Sequence, residues 1–162
     1  MTITREGLRR LAARLDKKWT LNAPADDESI VPFKDPRDAR LEHLLHELGH
    51  AVLLGVEPGP MLSLRIGAET GRLKNWPFPG ARALMEENEL ETFAVVMRVL
   101  PRLGIRCDRW TMCDAAQIQV ELRPEEIEAF WSAFEADEDW RCEAAAQEVL
   151  AIVLGQLESL AP

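Results

Sequence analysis

Three residues in the stretch His46-Glu47-Leu48-Gly49-His50 are of types that do hydrolytic chemistry when spaced in this way. On a helix, residues four apart share a face, so the imidazoles of His46 and His50 can reach one Zn²⁺ while Glu47 lies beside the open coordination position. A zinc ion so held polarises a carbonyl and lowers the pKa of a bound water to about 7. Glu47 is then placed as general base, taking the water proton and passing it to a leaving amine. The chemistry implied is hydrolysis of a peptide bond. All three histidines of the chain fall within residues 43 to 50, so any imidazole site must be built here.

A helix has to carry these residues, and its limits can be read. Asp35-Pro36 offers an N-cap followed by proline at the first helical position, and Gly55 stands as the C-terminal stop, which predicts a helix over about 36 to 54. Leu41, Leu44, Leu45, Leu48, Ala51, Val52 and Leu54 give it a wide apolar surface, so it lies largely in a core. His43 shares the histidine face, but it is almost two turns from His50, about 10 Å along the axis, too far for one ion to span. We place it near the site or at the surface.

The other elements follow from periodicity. Leu8, Leu11 and Leu15 mark a first amphipathic helix over about 7 to 16, its arginines read as a solvated face. Ser29 to Phe33 reads as a short edge strand, since Pro32 is tolerated only there. Leu62, Leu64 and Ile66 alternate with Ser63 and Arg65, and Glu69-Thr70-Gly71 suggests a turn, so residues 61 to 76 are expected to form a β-hairpin. Trp76 to Gly80 breaks regular structure, as a plug for the core or an aromatic rim. Helices are expected at about 81 to 100, 111 to 121, 124 to 135 and 138 to 159. The fold class expected is therefore α+β: a mostly helical domain with a small antiparallel sheet or hairpin and C-terminal helices. One domain over 1–162 is expected, with a metal-site core at about 29–103 and a helical part at about 104–162.

A catalytic zinc site needs a third protein ligand. Residues 86 to 91 offer Glu86, Glu87, Glu89 and Glu91 on the next helix. Glu89 shares a face with Phe93, Val96 and Leu100 and so points toward the core, where a carboxylate requires a cation. Glu91 lines up with Arg98 and reads as solvent-facing. Glu86 lies on the Glu89 face one turn earlier, and both neighbours stay open as alternatives.

Asn88-Glu89-Leu90-Glu91-Thr92 resembles the Asn-Glu-x-x-Ser/Thr start of the third-ligand helix of gluzincins, and Glu89 to Ala94 looks like the Glu-Ala-Asn-x-Phe-Ala helix of ImmA/IrrE-type metallopeptidases. The resemblance covers residues 36 to 101. It implies a zincin-like fold with His46, His50 and Glu89 as zinc ligands, Glu47 as general base, and a peptide or protein substrate, a specific regulatory partner included. The metzincin branch is excluded, because Leu53 and Val56 stand where it requires glycine and histidine. The chain also departs from its nearer models. Phe93 occupies the place of the aspartate that orients a ligand histidine in thermolysin-like gluzincins, Leu90-Glu91 replaces Ala-Asn, and Pro101 falls one residue late. There is no tyrosine and no histidine after His50, the side chains that usually steady the oxyanion in related enzymes, which leaves the zinc, backbone amides, or residues such as Lys74, Asn75, Arg82 or Arg102 for that task. The alternative function is an inactive zincin-fold module that binds metal or protein.

Composition narrows the partners. A formal charge of −9 argues against nucleic acid and anionic membrane, both of which need a basic surface. A basic segment of a partner protein fits better, though a merely solvated acidic surface fits better still. With no signal-like or membrane-length apolar run, and with Cys107, Cys113 and Cys142 odd in number and irregular in spacing, a cytoplasmic protein with reduced thiols is expected.

Overall fold

The computed structural model describes residues 2–21, 36–74, 81–106 and 140–160, with single helical positions at 125, 129 and 132. Every regular element among the described residues is helical: α1 (Arg5–Lys18), α2 (Ala39–Leu54), α3 (Leu62–Lys74), α4 (Ala81–Val99) and α5 (Trp140–Leu160), with 3₁₀ turns at Pro36–Asp38 and Leu100–Leu103. The α+β expectation is therefore corrected: the described residues form an all-helical arrangement. The strand expected at 29 to 33, the Trp76–Gly80 segment and the helix at 111 to 121 lie outside the described residues, as does most of the helix at 124 to 135.

The hairpin expected at 61 to 76 is helix α3. Three alternating apolar residues are too short a run to separate a period of 2 from one of 3.6. As a helix the segment buries Leu62 and Ile66, four apart, and leaves Leu64 about two-thirds exposed. Thr70, read as part of a turn, donates its hydroxyl back to the Ile66 carbonyl at 3.1 Å, a bond that a helix interior provides for threonine. The chain is also pinned ahead of α3, where Arg65 donates to the carbonyls of Glu57 and Pro60.

Helix α2 is the centre of the molecule and packs against α1, α3, α4 and α5. Leu41, Leu44, Leu45, Leu48 and Ala51 are at most 1% exposed, and burying each leucine contributes roughly 1.5–3 kcal/mol. The helix ends at Gly55 as the sequence indicated, with φ 71° in the left-handed region and the Val56 amide closing onto the Ala51 carbonyl at 2.8 Å. Its start differs by three residues. Pro36 opens the 3₁₀ turn and Asp38 is the residue before the first α-helical turn, with no side-chain bond to the helix amides. Asp38 is instead fully buried between Arg5, at 2.7 Å, and Arg9, at 2.6 Å. Burial alone would raise the Asp38 pKa, but the two guanidiniums hold it below the usual carboxylate range. The face of α1 read as solvated thus contributes Arg5 and Arg9 to an ion cluster that anchors the start of the histidine helix.

Helix α4 packs against α2, α3 and α5, with Leu90, Phe93, Ala94, Val95, Val96 and Val99 all buried. Because both sides are covered, Glu91 is 4% exposed rather than solvent-facing. Its backbone carbonyl meets the buried Cys142 thiol of α5 at 4.0 Å. Pro101 falls in the 3₁₀ turn that follows α4, where a missing amide is tolerated. Among the described residues, no helix is long and apolar enough to cross a membrane.

Candidate metal centre

Helices α2 and α4 bring His46, His50 and Glu89 together. His50 Nε2 lies 2.9 Å from Glu89 Oε1 and 3.1 Å from His46 Nε2, and His46 Nε2 lies 3.4 Å from Glu89 Oε2. At metal–ligand distances of about 2.0–2.2 Å, the edge of a tetrahedron is about 3.3–3.6 Å, so the three donors need little movement to share one ion. The inward phase read for Glu89 holds, since Phe93, Val96 and Leu100 on the same face are buried. Glu86 lies within α4, but its side chain is outside the described residues.

Two features show that the donor set fits a cation. Glu89 Oε2 is buried and has no hydrogen-bond partner, with His46 Nε2 facing it at 3.4 Å. The two imidazole Nε2 atoms also converge on the same point as the carboxylate, a donor set that either a proton or a metal ion can bridge. The proton affinities agree. Burial opposes charge on His50, yet its contacts with Glu89 raise its pKa above the usual imidazole value. Burial dominates at His46 and lowers it. Glu89 would be raised by burial, but the two imidazoles hold it far below the usual carboxylate range.

The partner that orients a ligand histidine is supplied by Asn88. His50 Nδ1–H donates to Asn88 Oδ1 at 2.9 Å and shares Thr92 Oγ1 at 3.2 Å, while the Thr92 hydroxyl donates to the Asn88 carbonyl at 2.8 Å. Fixing the proton on Nδ1 leaves the Nε2 lone pair facing the site. Phe93 packs against His46 instead, with the ring centroids 4.8 Å apart and the planes tilted by 56°. The sequence reading gave Asn88 no such role; the only signal was its place directly before Glu89. His43 is not part of the cluster, and donates from Nε2 to the Leu21 carbonyl at 3.1 Å, fastening the end of α1 to α2.

Glu47 is half-buried and its charge favours protonation of both imidazoles, which places it beside the cluster. Of the residues considered for oxyanion support, Arg102 is paired with Glu143 of α5. Asn75 and the side chains of Lys74 and Arg82 lie outside the described residues.

Glu42, one turn before His46, is different in kind. Its Oε2 is buried without a hydrogen-bond partner, and burial, with the charge of Asp38 adding to it, pushes the carboxyl up to about 8. Asp38 itself is neutralised by Arg5 and Arg9. The sign follows from linkage. As pH rises above the ordinary carboxylate range the unfolded chain releases this proton first, so stability falls steadily until the folded pKa is passed near 8. At about 1.4 kcal/mol per pKa unit, the loss amounts to a few kcal/mol. Glu42→Gln should therefore raise the Tm relative to wild type by an amount that grows between about pH 4.5 and 8.5. Thermal melts across that range test it, and a gain or loss that is flat with pH would show that Glu42 does not titrate as described.

Compared with family models, curated proteins and solved structures, the chain matches none.

Proposed function

We propose that the chain is a zinc-dependent peptidase in which His46, His50 and Glu89 hold the ion and Glu47 is the general base. The observation that carries the reading is the convergence of two imidazole Nε2 atoms and a buried carboxylate, one of whose oxygens lacks a hydrogen-bond partner, on a single point. Zinc, when bound, supplies a Lewis acid for the scissile carbonyl and acidifies a water. The residues do the rest. Asn88 and Thr92 hold the His50 ring in one tautomer. Glu47 takes the water proton on its carboxylate and returns it to the leaving nitrogen. The substrate is a peptide or a protein, and the excess of acidic residues suits a basic segment of it. Cys142, a buried thiol that meets the Glu91 carbonyl, suits a reducing compartment, and we place the enzyme in the cytoplasm.

A second reading, a metal- or protein-binding module without catalysis, draws on one observation. The chain contains no tyrosine, and its three histidines all lie on α2, so neither usual side-chain oxyanion donor is available from another element.

The proposal is tested by reconstituting purified protein with zinc, measuring the metal by mass spectrometry and incubating the loaded protein with a peptide library. About one zinc per chain is expected, together with cleavage that a chelator abolishes. Zinc uptake unchanged in a His46→Ala, His50→Ala variant would overturn the site. A loaded protein that cleaves nothing would favour the binding module.

A further inference from the structure

Helices α2 and α4 approach closely at one residue, Gly49, which lies directly before His50. A Cβ at position 49 would stand 2.9 Å from Thr92 Cγ2, closer than real Cβ atoms come to any neighbour, with the Thr92 carbonyl oxygen at 3.6 Å and Thr92 Cβ at 3.8 Å. Gly67, Gly71 and Gly155, which are also helical, have nothing within 4 Å of such an atom. Glycine is a poor choice inside a helix unless a neighbour needs the space, and here the neighbour is fully buried. Thr92 can turn aside only by giving up its contacts. Its β-branched side chain is stiff about χ1, and its hydroxyl is committed to the Asn88 carbonyl and to His50 Nδ1.

We propose that Gly49 and Thr92 form the spacer that sets the distance between the two ligand-bearing helices, so that the His46–His50 pair and Glu89 meet at the separation one ion requires. Gly49 is a positioning residue. A methyl group there has two outlets. It can push α4 outward and carry Glu89 away from the imidazoles, or it can rotate Thr92 and take its hydroxyl from His50. Both spoil the donor triangle while leaving all three ligand residues present in the chain. The inference rests on the metal-site reading above, but the spacer itself is a property of the chain.

The experiment compares wild type, Gly49→Ala, Thr92→Ser and the double variant. Zinc affinity is measured by competition with a chromogenic chelator, the cobalt-loaded forms by visible absorption, and the metal-free forms by the His50 imidazole signals in NMR and by circular dichroism. Gly49→Ala should remain helical, bind zinc at least about 10-fold more weakly, the cost typical of disturbing residues that orient ligands, and alter the cobalt spectrum. Thr92→Ser removes Cγ2 and keeps the hydroxyl, so it should restore most of the affinity lost by Gly49→Ala. If Gly49→Ala fails to fold, recovery of folding and metal binding in the double variant supports the spacer equally. Gly49→Ala binding zinc as tightly as wild type, or a double variant no better than Gly49→Ala, overturns it. If wild type takes up no metal, the site reading falls. The spacer then stands if the His50 signals shift in Gly49→Ala and return in the double variant, and falls if they do not.

Discussion

Replacing Glu47 by glutamine is expected to leave zinc binding at wild-type strength and to slow peptide hydrolysis by about 10²–10⁴-fold, the range a positioned general base contributes. Glutamine keeps the size and hydrogen-bonding capacity of the side chain but accepts no proton from water. Glu47 is half-buried beside the two imidazoles without being one of the three converging donors, so its loss should not open the metal centre. The measurements are zinc stoichiometry, melting temperature and kcat/KM on whichever peptide the wild type cleaves best. Equal hydrolysis by the variant would remove Glu47 from the mechanism. Loss of zinc along with activity would mean that Glu47 supports the metal rather than the water.

The second large effect belongs to Glu89. Glu89→Ala should weaken zinc binding by more than about 100-fold, because even residues that only orient ligands cost about 10–100-fold. It also strips His50 of the carboxylate that raises its proton affinity, so the metal-free variant should show His50 titrating at lower pH than in wild type. That shift follows from the sign of the contact: Glu89 is the largest influence favouring the imidazolium, and without it burial is opposed only by the smaller effects of Glu47 and Asn88. Glu91→Ala provides the contrast. Glu91 is buried but is not one of the three converging donors, so its removal should register in melting temperature and not in zinc affinity. Titration of both variants, with Glu86→Ala beside them, decides the matter. Normal affinity in Glu89→Ala, or a larger loss in either neighbour, would mean that the third ligand was assigned to the wrong carboxylate.

Part of this arrangement was legible in the amino-acid order alone. The spacing of His46 and His50, the stop at Gly55 and the inward phase of Glu89 are all consequences of the 3.6-residue period acting within single helices, and such local geometry needs no knowledge of neighbours. The apolar surface of α2 was long enough for the same reason. The segment 61 to 76 was not, because its alternation is too brief to choose between periods, and the choice fell to packing: α3 gains burial of Leu62 and Ile66 by lying across α2 and α4. Glu91 was misplaced by a related assumption, that a helix has one buried side, whereas α5 covers the second side of α4. Arg5 and Arg9 could not be paired with Asp38 from sequence, some 30 residues away, because the ion cluster exists only once α1 lies against the start of α2. The same is true of the contacts that shape the metal centre. Asn88 on His50 Nδ1, and Thr92 against Gly49, are each made between two helices whose separation no periodicity encodes, and the close packing of buried side chains decides it.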